Sequence, residues 1–128
     1  MVPGMSLPLG ILLLSGAHDR AHYALVLATG AAAVGRDVVL FASNEGCRLF
    51  LAPSPLLADA REGLLAERGV ATLAELLEAA ADLGIRRIAC EAGLRVQGLA
   101  AAGLAPGVEV AGVVTFLGAV GQGQIATL

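Results

Sequence analysis

Leu9-Gly10-Ile11-Leu12-Leu13-Leu14, followed at once by Ser15-Gly16-Ala17-His18-Asp19, sets the fold class of this chain. A continuous apolar run of this length, closed by turn residues, is what a strand covered on both faces looks like. We read residues 7–15 as that strand and 15–19 as the loop after it. Residues 20–34, rich in Ala and Leu, then read as a helix ending at Gly35, a natural C′ residue. Asp19 is placed to cap it. The helix is apolar around most of its circumference, so burial on more than one side is expected.

The same alternation continues. Asp37 to Ala42 is a second apolar strand, rich in β-branched residues. Asn44 is placed to cap a short helix from Glu45 to Leu51, which Pro53-Ser54-Pro55 stops. Residues 56–69 carry much of the local charge and read as a mobile or partly helical surface segment, a candidate lid. Thr72-Leu73-Ala74-Glu75 has capping-box form, and Leu73, Leu76, Leu77, Ala80 and Leu83 follow at helical spacing up to Gly84. Ile85 to Ala89 is a third strand, ending at Cys90. A helix over 91–102, a short strand Val108–Val110, a helix Thr115–Val120 and an edge strand Gln124–Thr127 complete the chain. Strands separated by helices imply crossovers, and so a three-layer α/β/α fold with a mostly parallel sheet of about five strands.

Composition narrows the function classes. The 128 residues suit a single domain, 1–128. Apolar residues are 57% and charged residues 15%, more apolar than a small monomer can cover, so a subunit interface is expected. A membrane is the other outlet, but Pro8 interrupts the first apolar run, and Pro106 and Glu109 break the stretch 98–121. No Lys or Arg precedes the first run, so it lacks a secretory n-region and the expected location is cytoplasmic. Net charge is −3, the arginines are scattered, and the few aromatics form no stacking platform, so nucleic acid is not an expected partner.

Chemistry in a parallel sheet collects at the carboxyl ends of the strands, here the loops 15–19, 43–47, 90–95 and 111–115. Cys90 stands where the third strand stops and a helix starts, where amides and the helix dipole would favour a thiolate. Arg95, one turn on, would add positive field or bind a substrate anion, while Glu91 opposes the thiolate. The plain alternative is a buried thiol. Cys47, after the second strand, is a packing residue or a resolving partner for Cys90, depending on whether the thiols approach. His18 is a thiol-bonding or solvent-facing group, and Asn44 a helix cap or pocket lining. His22 and Tyr23 read as packing or interface residues. The cysteines form no CxxC pair and the two histidines no ligand spacing, so no metal is expected. Gly10 inside a strand is not followed by G-x-G-x-x-G, so no dinucleotide cofactor is expected either.

Ser15-Gly16-Ala17-His18-Asp19-Arg20 with its Ala-rich helix, Gly35-Arg36-Asp37-Val38-Val39-Leu40-Phe41, Ile88-Ala89-Cys90-Glu91-Ala92-Gly93-Leu94-Arg95-Val96-Gln97-Gly98-Leu99 and Gly112-Val113-Val114-Thr115-Phe116-Leu117 together resemble the DsrE/DsrF-like sulfur-relay family. The resemblance covers nearly the whole chain. It implies a homo-oligomeric α/β domain, a trimer or hexamer, whose relay members hold sulfur as a cysteine persulfide and pass it between donor and acceptor proteins. Only Cys90 matches the sulfur-bearing position; Cys47 has no assigned counterpart. Three functions follow as expectations: a sulfur carrier or sulfurtransferase on Cys90, a peroxiredoxin-like thiol protein using Cys90 with Cys47, or a non-enzymatic oligomeric module binding a small ligand at the strand ends.

Overall fold

The computed structural model describes residues 7–128. In chain order the elements are β1 (Leu9–Leu13), α1 (His18–Ala33), β2 (Val38–Ala42), 3₁₀ turns at Asn44–Phe50 and Pro55–Ala58, α2 (Arg61–Glu67), α3 (Leu73–Asp82), β3 (Arg86–Cys90), α4 (Glu91–Gln97), a 3₁₀ turn at Ala101–Gly103, β4 (Val108–Ala111), α5 (Val113–Val120) and β5 (Gln124–Thr127). The five strands form one all-parallel sheet in the order β4-β3-β2-β1-β5. The sequence expectation of a layered α/β/α fold with a parallel sheet holds.

Handedness explains the layers. β1 to β4 step in one direction across the sheet, and their connecting helices pack on one face. There Leu25 and Ala28 of α1, Leu73 and Ala80 of α3 and Leu94 of α4 join Ile11, Leu13, Leu40, Ala42 and Ala89 in one core. β5 lies beyond β1, so the chain must travel back, and a right-handed crossover in that direction passes over the opposite face. α5 makes that return. Its Phe116 and Val120 pack with Val39, Phe41, Ile88 and Cys90 in a second, smaller core. The Phe41 and Phe116 rings stack at 4.8 Å and 8°.

Gly10 now has a structural reason. A Cβ there would run into Val120 and lie 2.9 Å from Phe116, so its absence lets α5 settle on β1. Among the described residues no helix is long and apolar enough to cross a membrane.

Several local expectations change. α1 begins at His18 with Ala17 as its N-cap; Asp19 lies inside the first turn and accepts from the Arg20 amide at 2.9 Å. Asn44 is not a cap but the first residue of the turn, at φ 51°, a left-handed conformation that Asn tolerates. Residues 56–69 are ordered as a 3₁₀ turn and α2. The helix expected over 91–102 stops at Gln97, because Gly98 takes φ 67° and ends it. The Thr72/Glu75 capping box is present in full.

Since α5 is the main cover of the second face, truncating its anchor should be felt throughout. Phe116→Ala is expected to cost about 3–5 kcal/mol, read as a lowered urea midpoint at an unchanged m-value.

Candidate functional site

Cys90 is the last residue of β3 and the N-cap of α4, at the carboxyl end of the sheet. Its thiol makes no capping hydrogen bond to α4. Strand alternation decides this: Cys90 shares a face with Ile88, toward α5, whereas α4 packs on the other face beside Ala89. The side chain thus ends in an apolar cluster with Phe41, Phe116 and Ala111, its register partner on β4, and keeps 7% of its surface exposed. The expected stabilisation of a thiolate by helix amides is not built through the side chain.

Cys47 is sealed at 0% exposure on the opposite face, in the core with Leu13, Ala42 and Ala89. Its thiol donates to the Ala42 carbonyl at 3.5 Å. Burial, and then the neighbouring Cys90 sulfur, push its pKa up to about 11, against the opposing pull of the amides of Cys90 and Cys47 itself. Both thiols are free. Cys47 stands in the 3₁₀ turn after β2 rather than on a strand, and its thiol lies close enough to Cys90 to feel that residue's sulfur and amide, although the two side chains belong to different cores.

The other site residues fall in separate places. Arg95 is exposed and bonds Glu91 at 2.8 Å one turn back on α4, so its charge is spent on the carboxylate beside Cys90. Such an exposed pair contributes only a few tenths of a kcal/mol. Its consequence is to offset the Glu91 charge next to the thiol. Asn44 is exposed, and its backbone abuts α4. A Cβ on Gly93 would lie 2.6 Å from the Asn44 amide nitrogen and 2.7 Å from Ser43 Oγ, so a glycine there lets α4 close onto the β2 loop.

His18 is buried and faces α2 and α3. Its Nε2 meets Glu62 Oε1 at 2.7 Å, its ring stacks on His22 at 6.1 Å, and its Nδ1 is buried without a partner. Glu62 was hidden from sequence reading, yet it joins three helices. Besides His18 of α1, its carboxylate accepts the Leu73 amide at 2.7 Å and the Ala74 amide at 3.2 Å, the first two of α3. With the capping box satisfying Thr72 and Glu75, the amino end of α3 is fully bonded. Burial pushes the Glu62 carboxyl up, but the hydrogen bonds from His18, Leu73 and Ala74 outweigh it and hold it below the ordinary range. His22 in turn bonds the Ala71 carbonyl at 2.8 Å.

Among the described residues no three His, Cys, Asp or Glu side chains converge as a metal site. The cavities at Arg36 and Arg86, at Leu57 and Arg87, and at Val70 and Glu75 do not include Cys90.

A model of the DsrE/DsrF/DrsH-like family matches residues 55–128, the segment that holds Cys90 and Arg95 but not His18, Asn44 or Cys47. No curated protein matches the chain. Two solved structures share its fold: the ychN protein from E. coli, at 15% identity and a TM-score of 0.74, and a protein of unknown function, MTH1491, from Methanobacterium thermoautotrophicum, at 16% and 0.57. Each likeness covers 96% of this chain and 100% of the other.

The Glu62 knot makes stability pH-dependent in a defined direction. Because the folded carboxyl titrates lower than the unfolded one, its contribution is complete above the ordinary carboxylate pKa, about 4.3, and is lost as pH falls through the folded value. Glu62→Gln should cost about 1–3 kcal/mol at pH 7 and flatten the fall of the urea midpoint between pH 6 and 3. An equal fall in both proteins would place the acid sensitivity elsewhere.

Proposed function

As the chain belongs to the DsrE/DsrF/DrsH-like family, we propose that it is a sulfur carrier that holds a persulfide on Cys90 and passes it to a partner protein. In the loading step the Cys90 thiolate attacks the sulfane sulfur of a donor persulfide. A new S–S bond forms at Cys90, the donor's S–S bond breaks, and the donor leaves as a thiolate. In delivery an acceptor thiolate attacks the outer sulfur and Cys90 departs as thiolate. No net oxidant is needed in either step, and a carrier whose thiol must be free between transfers suits the reducing cytoplasm, the location we propose.

The observation that carries this reading is the contrast between the two cysteines. Cys90 lies in the family-matched segment, at the end of a strand, with part of its surface reachable, while Cys47 is sealed and held protonated. Arg95, turned toward Glu91, would shape the environment at one remove, and Asn44 would act through the loop against α4, whereas His18 is engaged with Glu62 between α1, α2 and α3. Cys47 neighbours Cys90, but its full burial and a thiol held protonated weigh against the thiol-redox reading.

The reading includes self-assembly as a trimer or hexamer. Val113, Val114 and Leu117 lie on α5, which begins at Val113, just past Ala111, the register partner of Cys90, and all three are exposed, Val114 at 80%. A second copy on that surface would remove it from water and frame the thiol.

Incubation of the reduced protein with polysulfide is expected to add one sulfur at Cys90, reversible by reductant and visible in the intact mass. Cys90→Ser should abolish the gain and Cys47→Ser should keep it. Loading that survives Cys90→Ser would end the proposal. By light scattering the native chain is expected as an oligomer that Val114→Glu shifts toward monomer; a native monomer would remove self-assembly from the reading.

A further inference from the structure

Two consecutive arginines open β3, an interior strand, and alternation sends them to opposite faces. Arg86 meets Glu109 of β4 through two hydrogen bonds, 2.7 and 3.1 Å. Arg87 has no such partner. It points to the helix-covered face, its Nε is buried with nothing to bond, and its guanidinium forms no ion pair among the described residues. Arg87 as a whole is half-buried, its terminal Nη2 lying beside the exposed Gly107 while Nε is left inside without the partner that buried donors ordinarily have.

The same side chain lines a cavity of about 430 Å³, walled by Phe50, Leu51 and Leu57 after β2, Leu77 of α3, and Pro106. That volume is in the range of small-ligand sites, which are mostly apolar with a few polar groups, here Arg87, Ser54 and Glu78. From this we infer that the cavity binds a monocarboxylate with an apolar tail, Arg87 taking the carboxylate and the leucines the chain. Arg87 supplies the planar donor fork a carboxylate matches. Glu78 lines the same cavity without pairing with Arg87, and its charge disfavours a second negative group on the ligand, as in a dicarboxylate. The site is independent of the sulfur reading, since Cys90 faces the other side of the sheet.

Calorimetric titration of the full chain with straight-chain alkanoates from butyrate to decanoate tests it. Each added methylene is expected to tighten binding about fourfold until the cavity fills. The alcohol of equal length, and the dicarboxylate, should bind at least tenfold more weakly. Arg87→Met should weaken octanoate about 10- to 100-fold. Should that variant not fold, Ala81→Phe, which fills the cavity from an exposed position on α3, is expected to abolish binding. Methyl resonances of Leu57 and Leu77 should shift on titration. Absence of binding by every alkanoate, equal binding of the alcohol, an unchanged affinity in the variant, or shifts confined to Val113, Val114 and Leu117 would each overturn the inference.

Discussion

A parallel sheet must be covered on both faces, and among the described residues one helix lies on the second. Right-handed crossovers commit α1, α3 and α4 to the same side, so the whole cover of the other falls to α5, eight residues long. That constraint reaches most of what is distinctive here. Gly10 is bare because α5 must lie close, and Phe116 stacks on Phe41 because a short helix needs a large anchor. Cys90 is nearly but not wholly buried because the cover ends beside it.

What the sequence disclosed follows from how local each signal is. Apolar runs such as Leu9–Leu13 and Val38–Ala42 carry their own evidence of two-sided burial, and the box at Thr72 and Glu75 needs only three residues between its partners. The position of Cys90 at a strand end was equally readable. Its facing was not, because Arg86 and Arg87 in tandem hide the alternation that would have assigned it. The amide-stabilised thiolate expected from position alone therefore gave way to a thiol under α5.

Glu62 marks the limit of local reading. Within 56–69 it is one charge among several, and nothing nearby marks it. Its partners lie 44 residues earlier and 11 later, and only the packed fold brings them together. The same packing explains why Asp19 is displaced as a cap. Drawing His18 into contact with Glu62 starts α1 at His18 and leaves Asp19 within its first turn. A segment that reads as a loose lid is in fact a brace across α1 and α3.

The sealed Cys47 has one more consequence. Because none of its surface meets solvent and its thiol is held protonated, no reagent can reach it until the layer around Leu13, Ala42 and Ala89 parts. Its modification rate therefore counts openings of the main core, as amide exchange would, but at one chemically addressable atom. Two cysteines of the same chain thus sit on different clocks, one set by access beside α5 and the other by the breathing of the fold.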